Sequence, residues 1–333
     1  MSSKNINNNN NEKTSTSNNT IPIIVHSEQT IISNSNDDTQ LYVQKWSIPN
    51  PKAELLIIHG YLEHSNRYIE FAQYLCHNYN VNVTAYDIRG HGKSSGTKAY
   101  VDNFSKYHDD LESVLETLPS SSSSSTNGTS DDSVPRFLLC HSNGGLFTLD
   151  YMLKDESSNN YKNRKSIINS LSGVITTSPF LQPDNGISPI KKLIAKLLGG
   201  IFPTMFIPAD VKVNDLTSCP TKQKEFLNDN VYLHYATIGW GKLVMELQSQ
   251  IQEKVKKAKE AESSLKFPLP LLYIYGNKDK IAGPKTSQEM ATTLLQKDKT
   301  IICRENEQHE VLNEINRVEL YNIIGNWLIE RST

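Results

Sequence analysis

A serine set among small residues directly after an apolar run is the strongest chemical signal in the sequence. Residues 140–145 read Cys-His-Ser-Asn-Gly-Gly, and they follow the apolar run 137–139 and precede a helical pattern. Small residues at a strand-to-helix turn allow a sharp reversal that exposes the serine hydroxyl and points the helix N-terminus at it. Ser142 is therefore the candidate nucleophile, and Gly144 is one of the small residues that the turn needs.

A serine hydroxyl needs a histidine base and a carboxylate that orients the histidine. In sheets of alternating strands and helices, these residues follow each other along the chain as serine, acid and histidine. Asp279 follows the apolar run 271–275 through a short turn, so we expect it at the carboxyl end of a strand, where such sheets assemble their sites. His309 is the only histidine after Asp279. We predict that Ser142, Asp279 and His309 form a catalytic triad.

Acyl transfer also needs two amide donors for the oxyanion of the tetrahedral intermediate. The apolar run 55–58 ends in His59, Gly60 and Tyr61, a tight turn expected at the same edge of the sheet. We predict that the backbone N–H groups of Tyr61 and Asn143 form the oxyanion hole. Gly60 supports the turn, and the ring of His59 is expected to bond to the loop backbone.

Metal and nucleotide sites are not predicted. His59 and His64 lack partners at zinc spacing, and the four cysteines form no Cys-x-x-Cys pair. The glycine-punctuated segment 86–94 matches neither nucleotide-binding glycine motif. Its expected role is to brace the site, with Asp87 and Arg89 fixing the loop by hydrogen bonds and charge.

Short apolar runs alternate with helix-length amphipathic segments along most of the chain, which is typical of a mostly parallel sheet covered on both faces. We predict an α/β fold with an eight-stranded sheet flanked by helices, opened by an antiparallel pair. The predicted strands are 23–32, 41–46, 55–58, 81–86, 137–140, 172–176, 268–275 and 300–303. The predicted helices are 68–79, 107–118, 144–153 and 311–329.

The proline-rich stretch 183–235 interrupts this alternation and predicts an inserted helical cap. Residues 22–182 then form the first part of the core and residues 236–333 the second. Inside the cap, apolar residues recur at helical spacing between Lys191, Lys192 and Lys196. Two interpretations are open: a helix buried against the core, or a lid whose apolar face meets a lipid substrate or a membrane surface. The apolar residues are Ile190, Leu193, Ile194, Leu197, Leu198, Ile201 and Phe202.

Composition excludes several classes of function. The net charge is −2 with 21% charged residues, which argues against nucleic-acid binding by excess Lys and Arg. The hydrophobic fraction is only 37%, because an Asn-rich tail at 1–21 and a Ser-rich loop at 119–134 dilute it. We predict that the tail is disordered and that the loop is a flexible surface insertion. The sequence has neither a secretory signal nor an apolar run of the roughly 18 residues that span a bilayer. We expect a cytoplasmic protein.

Several motifs together resemble the monoacylglycerol lipase and lysophospholipase-like branch of the α/β-hydrolase superfamily, which is grouped with the serine aminopeptidase S33-type hydrolases. They lie at 59–68, 87–94, 141–145, 276–279 and 309–310, and the resemblance spans residues 35–329. It implies the same triad and oxyanion residues, a cap after the sixth strand, no cofactor, and a lipid ester as substrate. Two positions depart from the family pattern: Cys140 replaces the first glycine of the elbow, and Tyr61 is bulkier than the usual small residue.

We expect a serine hydrolase that cleaves carboxylic esters of lipids, with monoacylglycerol as the first candidate and lysophospholipase or general carboxylesterase activity as alternatives. A serine aminopeptidase would use cap acids such as Asp210 and Asp215 to hold a substrate ammonium, and the apolar cap face argues against it. An epoxide or haloalkane hydrolase needs an aspartate where Ser142 stands, and a non-catalytic binding protein would usually lack a triad member. Acyl length, head group and oligomeric state stay open, and peripheral membrane contact through the cap is a hypothesis.

Overall fold

The computed structural model describes residues 23–118, 134–154, 161–186, 188–209 and 211–332. The predicted tail 1–21 and the Ser-rich loop 119–134, apart from its last residue, therefore lie outside the described residues. The strands are β1 Val25–Ile32, β2 Gln40–Ser47, β3 Ala53–Ile58, β4 Val81–Tyr86, β5 Arg136–His141, β6 Gly173–Thr177, β7 Phe206–Pro208, β8 Tyr235–Thr237, β9 Leu265–Lys266, β10 Leu271–Gly276, β11 Leu294–Leu295 and β12 Lys299–Arg304. The helices are α1 Ile69–Tyr79, α2 Ser105–Thr117, α3 Asn143–Leu153, α4 Tyr161–Asn169, α5 Pro189–Leu198, α6 Val213–Leu216, α7 Pro220–Leu227, α8 Ile238–Glu260, α9 Pro284–Thr293 and α10 Arg317–Glu330.

Eight strands form the main sheet in the order β1-β2-β4-β3-β5-β6-β10-β12. β1 and β2 pair antiparallel, as do β2 and β4, and the remaining neighbours are parallel. Both faces of the central strands are buried, which is why their sequences are nearly continuous apolar runs. The predicted α/β-hydrolase fold with its mostly parallel sheet is confirmed.

Alternating residues of the central strands contribute to two separate apolar cores. Leu56 and Ile58 of β3 pack in the core that includes side chains of α2, α3, α8 and α9. Leu55 and Ile57 of the same strand pack in the opposite core, which includes side chains of α1 and α10. The helices on the two faces of the sheet hold the carboxyl ends of β3, β5, β10 and β12 along one edge.

The C-terminal helix is shorter than predicted from the sequence. Val311–Asn313 is a single 3-10 turn, and α10 begins only at Arg317. The reason is Glu314, which is fully buried and accepts the backbone N–H groups of Ser218 and Gln308. Because its side chain bonds to backbone elsewhere, the chain between the two segments leaves the helical path.

The stretch 183–235 contains α5, α6 and α7 together with the short strand β7, which pairs antiparallel with β8. Less than half of the stretch is therefore helical, and β8 begins at its last residue, Tyr235. The division into core and cap stays a prediction, and we keep the name cap for residues 183–235. Among the described helices, none is both long enough and apolar enough to cross a bilayer.

Candidate active site

Ser142 lies in the turn between β5 and α3, in a conformation that few non-glycine residues adopt. Its φ is 50° and its ψ is −113°. The turn also leaves no room for a side chain at Gly144, since a Cβ there would lie 2.6 Å from the Ile58 carbonyl oxygen. This strained backbone raises the Ser142 hydroxyl to the edge of the sheet, as a nucleophile elbow does.

The three predicted triad residues lie together at this edge. Ser142 Oγ is 2.9 Å from His309 Nε2, and His309 Nδ1 is 2.8 Å from Asp279 Oδ2. The second carboxylate oxygen of Asp279 accepts two backbone N–H groups, from Ile281 and Ala282, each at 2.8 Å. The acid is thus held by its own turn, and one oxygen stays directed at the imidazole.

The electrostatics of the two neighbouring histidines differ. Burial disfavours the charged form of His309, but the Asp279 carboxylate outweighs it, so the pKa of His309 is raised above its usual 6.5. Burial together with the nearby His309 holds the pKa of His141 well below its usual value. His309 can therefore accept a proton near neutral pH, while His141 stays neutral beside it.

The loop after β3 lies close to the nucleophile. A Cβ on Gly60 would lie 3.0 Å from the Ser142 Cβ, so a larger residue there would push against the turn that carries Ser142. His59 Nδ1 donates to the Gly60 carbonyl at 2.6 Å, and the Ile88 N–H donates to His59 Nε2 at 2.9 Å. The His59 ring is therefore bonded to loop backbone on both sides.

Of the two amides assigned to the oxyanion hole, that of Asn143 belongs to the first residue of α3 and so has no acceptor within the helix. The amide of Tyr61 follows Gly60, whose own N–H donates to Glu63 Oε1 at 2.5 Å. These contacts fix the loop, and the assignment of both amides to the oxyanion stays a prediction.

Asp87 and Arg89 lie where the sequence predicts a bracing loop. Asp87 accepts the backbone N–H of Ser65 at 2.7 Å and that of Lys93 at 2.8 Å. Arg89 pairs with Asp110 of α2 at 2.6 Å. Both side chains are buried and tie the loop after β4 to its surroundings.

A buried charged cluster behind the histidine was missed by sequence reasoning. Arg67 lies 3.3 Å from Glu63, 2.5 Å from Glu310 and 3.8 Å from Asp229. Asp229 also accepts from His64 at 2.9 Å. Burial raises the pKa of Glu63, with the Arg67 charge opposing the rise. The spacing Glu63-x-x-x-Arg67 was the only local signal, because the other partners are distant in sequence.

The cap contacts the histidine loop through backbone hydrogen bonds. The N–H of Glu310 donates to the Leu216 carbonyl at 2.7 Å, and the N–H of His309 donates to the Asp215 carbonyl at 3.4 Å. The loop that carries the candidate base His309 is thus paired with the cap.

A cavity of about 460 Å³ opens above Ser142. Its lining combines apolar with polar side chains, and we call these two sets its apolar side and its polar side. The polar side includes Glu310, the neighbour of His309 in the chain. Phe180 and Trp240 line the apolar side, and no sequence signal pointed to either. The apolar lining also includes Tyr61, Leu62, Ala209, Val211, Leu216, Ala236 and Ile281. The polar lining includes Glu63, Lys212, Asp215, Lys280 and Glu310.

Cys140, the departure from the family's elbow pattern, is fully buried. Its thiol donates to the Ile175 carbonyl of β6, with the sulfur 3.3 Å from the oxygen, and burial raises its pKa to about 12. The side chain is a neutral thiol in the core and does not enter the cavity lining. Among the described residues, no group of three His, Cys, Asp or Glu side chains could hold a metal ion.

The family model described as serine aminopeptidase, S33, matches residues 49–316. A monoglyceride lipase of Rattus norvegicus is 25% identical over 301 residues, which cover 89% of this chain and 88% of that protein. An uncharacterised abhydrolase domain-containing protein of Dictyostelium discoideum is 28% identical over 300 residues, or 89% of this chain. The chain spans only 28% of the length of that relative.

The fold also has close counterparts among solved structures. A soluble variant of monoglyceride lipase from Saccharomyces cerevisiae, in complex with a substrate analog, superposes with a TM-score of 0.75 at 20% identity. The alignment covers 94% of this chain and 97% of that one. At this identity the likeness concerns the fold.

Proposed function

Since the chain belongs to the serine aminopeptidase S33 family of α/β-hydrolases, we propose that it is a serine hydrolase that cleaves carboxylic esters of lipids, with monoacylglycerol as its preferred substrate. The observation that carries the proposal is the continuous hydrogen-bond path from Ser142 Oγ through the His309 ring to Asp279. The path opens into a cavity that has one apolar and one polar side.

In the proposed mechanism, Ser142 Oγ attacks the acyl carbon while His309 Nε2 takes its proton. The new oxyanion is stabilised by the backbone N–H groups of Tyr61 and Asn143. Collapse of the tetrahedral intermediate breaks the ester C–O bond, and His309 returns the proton to the leaving alcohol oxygen. His309 then takes a proton from water while the water oxygen attacks the acyl carbon. Collapse of the second tetrahedral intermediate breaks the bond to Ser142 Oγ, His309 returns the proton to Oγ, and the carboxylic acid is released.

Asp279 supports both proton transfers. Its contact with Nδ1 keeps that nitrogen protonated, so Nε2 is free to accept from the serine. It also stabilises the imidazolium that forms, which agrees with the raised pKa of His309. Since Ile281 and Ala282 hold the carboxylate, it needs no reorganisation during the reaction.

The substrate assignment rests on the cavity and on the relatives. An apolar side wall suits a fatty acyl chain, and the polar groups near His309 suit a hydroxylated leaving group such as glycerol. The rat and yeast relatives carry the name monoglyceride lipase, which supports the same substrate class. Lysophospholipid and simple carboxylic esters are the alternative substrates.

An aminopeptidase activity is less well supported. Of the two cap acids that could hold a substrate ammonium, Asp210 lies outside the described residues. Asp215 lines the cavity but pairs with Lys280 at 3.2 Å, and Lys212 lies on the same rim. Two lysines at the mouth of the cavity would repel a substrate ammonium.

We also propose that the cap touches membranes through the apolar side chains of α5 and the segment after it. Ile190 is 70% exposed and Ile201 is 67% exposed, and Lys192 and Lys196 are exposed beside them. The exposure favours the lid interpretation over a helix buried in the core. Binding should be seen as co-sedimentation with anionic liposomes at low salt, weakened by Leu193→Glu; failure to co-sediment would end this proposal. A cytoplasmic location stays a prediction.

The central test of function is active-site labelling. A fluorophosphonate probe should label the protein at Ser142, and the Ser142→Ala variant should be neither labelled nor active. Rates on monoacylglycerols, lysophospholipids, p-nitrophenyl esters and aminoacyl substrates then rank the substrate classes. Full esterase activity in Ser142→Ala would refute the mechanism, and a wild-type protein that the probe does not label would favour a non-catalytic role.

A further inference from the structure

Three aromatic rings form a layered wall on the apolar side of the cavity. The Tyr61 and Trp240 rings stack face to face, with centroids 3.4 Å apart and planes within 4°. The Phe180 ring is nearly parallel to Trp240, at 6° and 6.4 Å. All three residues line the cavity that contains Ser142. We call Tyr61, Trp240 and Phe180 the aromatic wall.

The aromatic wall is fixed by hydrogen bonds at its Tyr61 end. The Tyr61 hydroxyl donates to the Ala99 carbonyl at 2.6 Å, and the Thr237 hydroxyl donates to the same carbonyl at 2.5 Å. Thr237 also caps α8 by accepting the N–H of Trp240 at 3.4 Å. One carbonyl thus holds the Tyr61 ring directly and, through Thr237, the backbone that carries Trp240. The Tyr61 ring cannot swing aside without breaking its bond to Ala99.

The proposed chemistry determines which part of an ester meets the aromatic wall. The leaving oxygen must lie beside His309 Nε2, because that nitrogen gives it a proton, and the cavity there is lined by Asp215, Lys280 and Glu310. The oxyanion must point in a different direction, toward the backbone N–H groups of Tyr61 and Asn143. The acyl chain must then lie along the apolar side of the cavity. Tyr61 contributes its ring to that side, and its backbone N–H is one of the two amides assigned to the oxyanion.

We propose that the Tyr61–Trp240 stack closes the part of the cavity that takes the acyl chain, and so makes the enzyme selective for shorter acyl chains. This inference rests on the proposed function. Carbon atoms need about 3.5 to 4.0 Å between centres, so a chain of methylenes cannot pass between rings whose centroids are 3.4 Å apart. A long chain must bend away from the stack or leave the cavity toward solvent.

The test compares acyl-length profiles. We would measure kcat/KM on saturated monoacylglycerols and p-nitrophenyl esters from four to sixteen carbons, for wild type and for Tyr61→Ala, Trp240→Ala and Tyr61→Phe. The ratio of long-chain to short-chain kcat/KM should rise about tenfold or more in the two alanine variants, since each newly accommodated methylene contributes severalfold. Tyr61→Phe keeps the ring and should keep the wild-type ratio.

Tyr74→Ala is the matched control, since it makes the same substitution in a partly buried tyrosine of α1 outside the cavity lining. It should change neither the ratio nor the rates. An unchanged ratio in whichever alanine variants fold, judged by circular dichroism, would overturn the proposal. If neither folds, Trp240→Phe should still raise the ratio, and an unchanged ratio there overturns it equally. Wild-type protein that the probe does not label and that cleaves no ester would refute the proposed function and this inference with it.

Discussion

Arg67 is the residue whose loss should most damage stability, because it is the cation among three carboxylates. It contacts Glu63, Glu310 and Asp229, and its side chain is only 10% exposed. Its guanidinium also lies 5.6 Å from the centre of the Phe226 ring. The carboxylates outweigh the effect of burial and raise the pKa of Arg67, so its charge is permanent.

The perturbation is Arg67→Met, which keeps an apolar stem and removes the charge. Breaking a buried ion pair by removing one partner typically costs about 3 to 5 kcal/mol, because the other charge stays buried without compensation. Here Glu63 and Glu310 would both remain, each with a side chain that is only 5% exposed. We therefore expect the free energy of unfolding to fall by about 3 to 5 kcal/mol.

The assay is urea unfolding at pH 7.5 and pH 5.5, with the exposed Lys256→Met as control. In Arg67→Met, the pKa values of the unpaired carboxyls should rise above their unfolded values. Lowering the pH then protonates them in the folded state, so part of the lost stability should return at pH 5.5. Adding Glu310→Gln to the Arg67→Met variant should restore part of the lost stability at pH 7.5. A loss under about 1 kcal/mol, as for exposed pairs, would refute the reasoning, and so would a loss independent of pH.

Four further predictions concern the candidate site. Because the neutral His309 ring is the active form and its pKa is raised above 6.5, kcat/KM should fall as the pH is lowered through a midpoint above 6.5; a midpoint below 6.5 would contradict the arrangement. Asp279→Asn should reduce kcat by about 10³- to 10⁴-fold with little change in thermal stability, since the carboxylate sets the tautomer. Gly144→Ala should lower the free energy of unfolding by about 1 to 3 kcal/mol and reduce kcat, because the new Cβ meets the backbone oxygen of Ile58; an unchanged Tm would show that the elbow can relax. Asn143→Leu should raise stability by about 1 kcal/mol in urea unfolding, because the buried Asn143 side-chain amide has no hydrogen-bond partner among the described residues.

The sheet and the candidate triad could be predicted because their signals are local. Strands buried on both faces are continuous apolar runs, and Ser142 and Asp279 each follow such a run. His309 follows the edge strand β12, which is mostly not buried, and was identified as the only histidine after Asp279 in the sequence. The length of α8 could not be predicted in the same way. Gly239 and Gly241 lie in its first turn and weaken the helical pattern. Tertiary packing explains why a glycine stands at position 239, since a Cβ there would lie 2.7 Å from the Pro203 carbonyl oxygen.

Contacts between distant parts of the chain were beyond sequence reasoning. Arg67 and Glu310 are separated by 243 residues, and although both lie in motifs that carry the family resemblance, neither motif indicates that the two side chains pair. Tyr61 was recognised as bulky at an oxyanion position, but nothing indicated that Trp240 covers its ring. Charge clusters and ring stacks of this kind depend on how the cap and α8 return to the core.

The backbone pairing between the cap and the histidine loop has a consequence for protein engineering. Leu216 and Asp215 bond through their carbonyls to the N–H groups of Glu310 and His309, and buried Glu314 bonds to Ser218 of the cap and to Gln308. A cap grafted from a relative would therefore hold the loop of the candidate base only if its backbone placed the same carbonyls and N–H groups against residues 308–314. Chimeras should keep activity only when residues 308–314 are exchanged together with the cap, so the two segments form a single transplantable unit.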